Sequence, residues 1–561
     1  MFINLITLFL FYFIILFSIL GYGLYFQNYF FRDYDTNLGI TGLIGIFILI
    51  IYSYLSHYLI SHNYWHNSII LIIGLIAFLF FFKRINKENL FLFSVIFLIL
   101  FVSVIIFKTH DDFPYYHFPY TYYLSQEPLI IGTGQFNHGF RTHSSIFYLN
   151  SLYYLPIIKY FSFYIPTVII MGLSNYILLN RVIIQLRNKK IDFIFFYCLL
   201  FFIFFNIFFY RIQEHGTDRS AQILISILIL YVLNFTQFRQ DYQKYIGYIL
   251  ILLGLIVSLK AFYVIYFILA VPLMWILFKE KKLHLILLTL KQKVFFYFSA
   301  LIILIISIYF LNTGCFLYPL ASTCLDNLTW SIGSKETMLM NDHYQLWAKA
   351  GKTPNFQIEN AEIYLQNFNW VSNWVNSYFF NKVSDFIFGI LFLVFVVVCF
   401  FYTKEKNLNT NNKKTYSYTK LIYTTFILIL LEWFLNHPSL RYGGYVLFTI
   451  ILFLPLTFLL ERYKNNIINI KKKTIILLCI TIIIFSLRNI DRINDEIVKY
   501  DYNPLKNPYY LLNDNHFRVQ KNFDQLITNF ENCNLDLTKC DRKIFNQVKE
   551  VFPNRYLFVN D

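Results

Sequence analysis

The chain reads as an all-α, polytopic transmembrane helical bundle, and three observations predict it. Of its 561 residues, 58% are hydrophobic and only 14% are charged, about half the charged share of an ordinary soluble domain. The apolar residues fall in repeated runs of roughly 17–22, the length a helix needs to cross a bilayer core. Lysine and arginine gather in every second connecting loop, as alternating spans require when basic loops stay cytoplasmic.

About fourteen spans follow, near 2–25, 38–56, 68–82, 90–107, 157–179, 192–210, 220–235, 245–259, 261–278, 294–311, 384–402, 419–436, 442–460 and 473–487. The first run lacks a charged leader and a small-residue cleavage site, so it is expected to stay as a span. Basic stretches beginning at Lys83, Arg181, Gln237, Lys279, Lys404 and Glu461 fall on one side. The segments 108–156, 211–219, the Lys260 junction, 312–383, 437–441 and the tail from Arg488 fall on the other, predicted to face outwards. The expected division is a transmembrane domain over 1–487 and a small extracytoplasmic segment over 488–561. The formal charge of +16 is accounted for by the basic loops, which excludes a nucleic-acid partner on composition.

Cysteine usage fits this sidedness. Cys198, Cys399 and Cys479 lie in predicted spans, whereas Cys315 with Cys324 and Cys533 with Cys540 form close pairs in outer segments. An outer compartment permits disulfides, so both bridges are expected. Trp330, Trp347, Trp370 and Trp374 in the long loop 312–383 suit a membrane–water interface, with stacking on sugar rings as the alternative. There is no phosphate-binding glycine loop and no internal repeat.

The unusual polar residues all lie in the outer set. "KTHDDFPYYHFPY" opens the loop after the fourth span with His110, Asp111, Asp112 and His117, and the same loop later carries Arg141 and His143. Adjacent carboxylates can supply a general base, or with a histidine such as His110 can hold Mg2+ or Mn2+ against a phosphate. "YRIQEHGTDRSAQ" crowds Glu214, His215, Asp218 and Arg219 into one turn, where Asp218 or Thr217 can also cap a helix. Lys260 stands alone between apolar runs, and "HPSLRYGGY" presents His437 and Arg441. Such cations can receive a phosphate at the membrane rim. The expected catalytic acids are therefore Asp111, Asp112 and Glu214. The expected substrate or phosphate contacts are His117, Arg141, His215, Asp218, Lys260, His437 and Arg441, and the expected metal ligands are Asp111 and His110.

This plan resembles the GT-C superfamily of integral-membrane glycosyltransferases. Its members commonly carry an acidic pair in an early outer loop, as Asp111-Asp112 do here, and several carry a late Arg-Tyr element, as in Arg441-Tyr442. Here the acidic pair follows the fourth span, where the superfamily's usual plan places it after the first. More narrowly, "HDDFPYYHFPY", "EHGTD", "TGCFLYPLASTC" and "HPSLRYG" resemble a family of bacterial multispan proteins found with cell-surface polysaccharide functions. The resemblance implies transfer of a sugar from a polyprenyl-phosphate donor to a cell-envelope glycan or lipid-linked acceptor, at the outer face of the bacterial inner membrane. A flippase of lipid-linked glycans and an O-antigen-type polymerase are the alternatives. A flippase would need polar groups at mid-membrane depth in two matching halves.

Overall fold

The computed structural model describes residues 4–32, 37–237, 241–350, 358–404, 413–464, 466–536, 541 and 545–559. The first four spans are α1 (Leu5–Phe31), α2 (Leu38–His57), α3 (Tyr64–Phe81) and α4 (Lys87–Val104). Next come α5 (Ile165–Arg187), α6 (Phe193–Phe208), α7 (Gly216–Gln237) and α8 (Tyr242–Leu259). The run Ala261–Lys279 (α9) is 3-10 helical through Leu269, and α10 spans Lys293–Thr313. An outer-loop helix, α11 (Ser334–Lys349), precedes α12 (Val371–Phe401), which is π-helical over Val375–Val383. The last elements are α13 (Lys413–Asn436), α14 (Gly444–Arg462), α15 (Ile467–Tyr500) and α16 (Asp514–Leu535).

Among the described residues, thirteen helices are long and apolar enough to cross a membrane. The sixteen-residue α6 spans about 24 Å at the usual rise, short of the ~30 Å hydrocarbon core. The protein is thus a multipass helical membrane protein. Asparagine starts many of its helices: Asn4, Asn37, Asn63, Asn86 and Asn466 each accept a backbone N–H in the first turn of a span. These side chains satisfy donors that the helix itself leaves unpaired.

Packing places α7 at the centre. In its most apolar window 94% of residues are buried, against 28% in α3, α10, α12 and α15, so these four line the outside. Helices α5, α6, α8, α13 and α14 all contact α7. At the N-terminal end, α1 lies close to α2 and α3 because Gly21, Gly23, Gly45 and Gly74 let the backbones approach. A Cβ on Gly21 would come within 1.9 Å of the Gly74 carbonyl oxygen. Small residues at such crossings are the usual basis of helix association in lipid.

The connecting segments sort into two groups at opposite ends of the spans. At one end Arg187 pairs with Glu88 at 2.9 Å, the Tyr418 hydroxyl donates to Glu280 at 2.7 Å, and Tyr402 bridges Lys464. These belong to the basic loops. At the other end Arg141 meets Glu336 at 2.8 Å, the Gln135 amide donates to the carbonyls of Trp330 and Phe558, and Trp374 donates to Pro438 O. Every one of these residues lies in the outer set that alternation predicts.

The C-terminal part is fastened to that second end. Helix α15 runs to Tyr500 without a break, so the boundary expected after residue 487 falls inside a helix. Beyond it, α16 packs on the helix Phe118–Gln126. An antiparallel hairpin, β1 (Val548–Phe552) with β2 (Arg555–Phe558), pairs Val548 with Phe558 and shifts register between Glu550 and Phe552. Leu557 then bridges Ile131. The Cys315–Cys324 disulfide is formed. For the other expected bridge, Cys533 is buried in α16, and Cys540 lies outside the described residues.

Candidate functional site

At the end that carries the outer set, four segments together with Trp347 of α11 line a cavity of about 250 Å³. The first is the turn after α4. The Phe113 N–H donates to His110 O at 2.9 Å, and a π-helical turn follows over Phe113–His117. Pro114 starts it where a missing N–H costs nothing. This turn presents His110, Asp112 and His117 to the cavity.

The second is the start of α7, contributing Thr217, Asp218, Arg219 and Gln222. Asp218 occupies the first helical turn, the positive end of the helix dipole. The third is the turn after α13. Gly443 takes φ +95°, a left-handed conformation that glycine adopts without strain. The turn is pinned on several sides. Trp374 Nε1 donates to Pro438 O at 2.7 Å, Trp433 Nε1 to Ser439 O at 3.0 Å, and the Leu440 N–H to the Tyr378 hydroxyl at 3.0 Å. Gln222 donates to Arg441 O at 3.0 Å and accepts from the Val446 N–H at 3.1 Å. The fourth wall is the π-helical stretch of α12, with Tyr378 and Lys382.

Four charged side chains form one connected network there. Arg441 reaches Asp218 Oδ2 through Nε at 3.1 Å and Asp112 Oδ2 through a terminal nitrogen at 3.0 Å. Lys260, at the end of α8, pairs with the other oxygen of Asp218 and lies 4.6 Å from the Tyr442 ring centre. His110 Nδ1 stands 3.5 Å from Asp112. The planar fork of the guanidinium presents fixed donors to two carboxylates from separate elements at once.

Burial alone would raise the Asp112 pKa, but Arg441, His117 and His110 outweigh it and hold the carboxyl below its usual range. Asp112 is therefore ionised at neutral pH. Burial pushes the His117 imidazole down to about 4, against the opposing pull of Asp112 and Asp218. Its Nε2 is buried and has no protein partner. Burial raises the Glu214 pKa despite Arg211, whose Nε donates to it at 2.6 Å.

The structure thus brings together most of the residues expected from sequence. His110, Asp112, His117, Glu214, Asp218 and Arg441 line the cavity, and Lys260 joins them through Asp218. Asp111 is exposed and does not line it. Arg141 is turned to Glu336 and the Gly134 carbonyl. His437 lies beside Phe262, with ring centres 4.5 Å apart. The His215 side chain is outside the described residues. Among the described residues no group of three or more His, Cys, Asp or Glu side chains forms a metal-ligand set, and Arg441 engages both Asp112 and Asp218.

Sequence reasoning missed Gln222, Tyr378, Lys382 and Tyr445 as cavity residues, and it favoured the membrane interface for Trp347, which lines the cavity. Gln222 carried a signal, since it lies four residues after Asp218 and so on the same helix face. Lys382 resembled an ordinary flanking charge of the span that follows.

Fold and site together define a multipass membrane protein with an ionic cavity at one end of its bundle. Residues 5–448 match the family described as Domain of unknown function (DUF8201), and the chain belongs to that family. No curated protein and no solved structure matches it.

Proposed function

We propose that the protein is a membrane glycosyltransferase, moving a sugar from a polyprenyl-phosphate donor to a glycan or lipid-linked acceptor at the outer face of a bacterial cytoplasmic membrane. The observation that carries this reading is the contact of an ionised carboxylate, Asp112, with the Arg441 guanidinium at 3.0 Å on the wall of one cavity. Transfer to a hydroxyl needs a base for its proton and cations for the departing phosphate. Asp112 takes the first role and Arg441 with Lys260 the second.

The acceptor O–H gives its proton to Asp112 as its oxygen attacks the anomeric carbon. The bond from that carbon to the phosphate oxygen breaks, and the electron pair leaves with the phosphate. Arg441 keeps Asp112 ionised and ready, which also lowers its basicity. As the proton arrives, Asp112 loses its charge and Arg441 becomes available to the leaving oxygen. Asp218 keeps both cations in place before donor binds. His117, neutral at physiological pH, can donate or accept one hydrogen bond to a sugar hydroxyl through Nε2.

The test is sugar transfer from a radiolabelled polyprenyl-phosphate donor by purified protein in proteoliposomes. Asp112→Asn should abolish transfer while the protein stays folded in the membrane, and Asp111→Asn should retain it. Full activity in Asp112→Asn would end the carboxylate mechanism.

A further inference from the structure

The cavity wall is built from two kinds of side chain. Most of it is polar or charged, and the rest is aromatic: Trp347, Tyr378 and Tyr445. Among the described residues no aliphatic side chain lines it, so a lipid tail would find little there to pack on. A pyranose suits such a wall, because it carries hydroxyls around its edge and bare C–H groups on its faces. Two of the three rings are already taken up by cations. Lys382 stands 6.0 Å from the Tyr378 ring centre, and the Arg219 guanidinium 5.9 Å from that of Tyr445.

Trp347 differs from the other tryptophans of its loop. Trp330, Trp370 and Trp374 donate their indole N–H to the backbone carbonyls of Phe310, Asn367 and Pro438. Trp370 and Trp374 are only 1% and 4% exposed, whereas Trp347 is 43% exposed. Its Nε1 donates to His343 Nε2, one turn earlier on α11, at 2.6 Å. That imidazole stands edge-on, with ring centres 6.1 Å apart, and among the described residues no other ring lies against the indole. The polar edge of Trp347 is therefore satisfied and held, while no ring or cation occupies its faces. Resting on the transferase reading above, we infer that Trp347 is the platform of a pyranose subsite. One face of the sugar ring stacks on the indole, its C–H groups meeting the negative face of the π system. The hydroxyls turn to the polar wall, where His117 Nε2 is buried without a protein partner and the Ser439 hydroxyl also lines the cavity. Asp112 and Arg441 share that wall, which sets the bound sugar beside the proposed chemistry.

The test uses full-length protein in nanodiscs and the methyl pyranosides of glucose, galactose, mannose and N-acetylglucosamine. Sorbitol, citronellol and dimethyl phosphate are the comparators, and saturation-transfer NMR reads weak binding and the protons in contact. At least one pyranoside should bind, with the strongest transfer to its axial ring protons. Sorbitol, which has the hydroxyls without a ring face, should bind more weakly. Trp347→Ala, at an exposed position where folding is not at issue, should weaken that pyranoside by roughly three- to tenfold and leave dimethyl phosphate unchanged. Trp347→Phe should recover part of the loss. Pyranoside binding that Trp347→Ala leaves unchanged would overturn the subsite and leave the transferase reading standing, and so would an equal loss of dimethyl phosphate. No pyranoside binding by the unaltered protein would overturn it too. Citronellol weakened in place of the pyranoside would give the indole to a lipid tail and overturn the inference. Pyranoside binding that depends on Trp347, in a protein that transfers no sugar, would support the subsite and sink the transferase reading instead.

Discussion

Two ion clusters sit at the same end of this bundle, and they are built to opposite purposes. In the cavity network the side chains of Asp218, Lys260, Asp112 and Arg441 remain 11%, 25%, 27% and 42% exposed. Arg492 and Glu496, one turn apart on α15, are each only 6% exposed and 3.3 Å apart. Beyond each other, Arg492 donates to Ile105 O at 2.7 Å and to Asn489 Oδ1 at 3.4 Å, and Glu496 accepts from the Phe107 N–H at 3.0 Å. The closed pair caps the end of α4 and fixes the chain that leads to Asp112. The open network leaves room for an anion. Similar side chains thus serve architecture where water is excluded and, on the proposed function, a ligand where it is not.

That contrast sets the order of expected effects. The largest belongs to Asp112→Asn, which should lower transfer by about 10²–10⁴-fold, the usual worth of a positioned base. Thermal unfolding in detergent should barely change. The next belongs to the closed pair. Arg492→Met strands Glu496 in a buried site and should cost about 3–5 kcal/mol of stability, and the double change with Glu496→Leu should recover much of it. If Arg492→Met instead left stability unchanged and lost only activity, the two clusters would not differ as described.

Arg441→Lys comes third. A lysine keeps the charge but cannot fork between Asp112 and Asp218, so transfer should fall by roughly ten- to a hundredfold with the fold retained. The smallest effect is on pH dependence. His117 has a folded pKa of about 4 against about 6.5 in an unfolded chain. Between those values the unfolded chain binds a proton that the folded one does not, so stability falls as pH drops from about 6.5 towards 4. The contribution of Asp112, whose folded pKa is depressed, is lost at still lower pH, as the solution falls through that pKa. His117→Gln should flatten the first of these slopes by on the order of 1 kcal/mol per pH unit in thermal-shift titrations.

The apolar runs made the spans legible, because a bilayer imposes length and composition on each helix separately. Helix ends were less legible. After Leu487 the run "RNIDRINDE" reads as loop by its charge, yet Phe485, Asn489, Arg492 and Glu496 are buried at helical spacing. Likewise the span expected from 384 is helical from Val371, the polar residues before it lying in a π-helical stretch of which Tyr378 and Lys382 line the cavity. In the site, residue types and their gathering at one end could be read from alternation. Which of two adjacent acids faces the cavity could not, because it depends on the turn at Pro114. Arg141 was expected at a phosphate because its partner Glu336 is 195 residues away in sequence. Lys382 was passed over because a flanking lysine and a cavity lysine are the same letter.

The central claim is that Asp112 and Arg441 act as one unit. A double-mutant cycle on transfer rate, with Asp112→Asn, Arg441→Gln and the pair, tests it directly. Residues that work as a unit lose their effect together, so the double variant should be no slower than the slower single one. Losses that multiply, or a double variant far below both, would show two independent contributions and contradict the account.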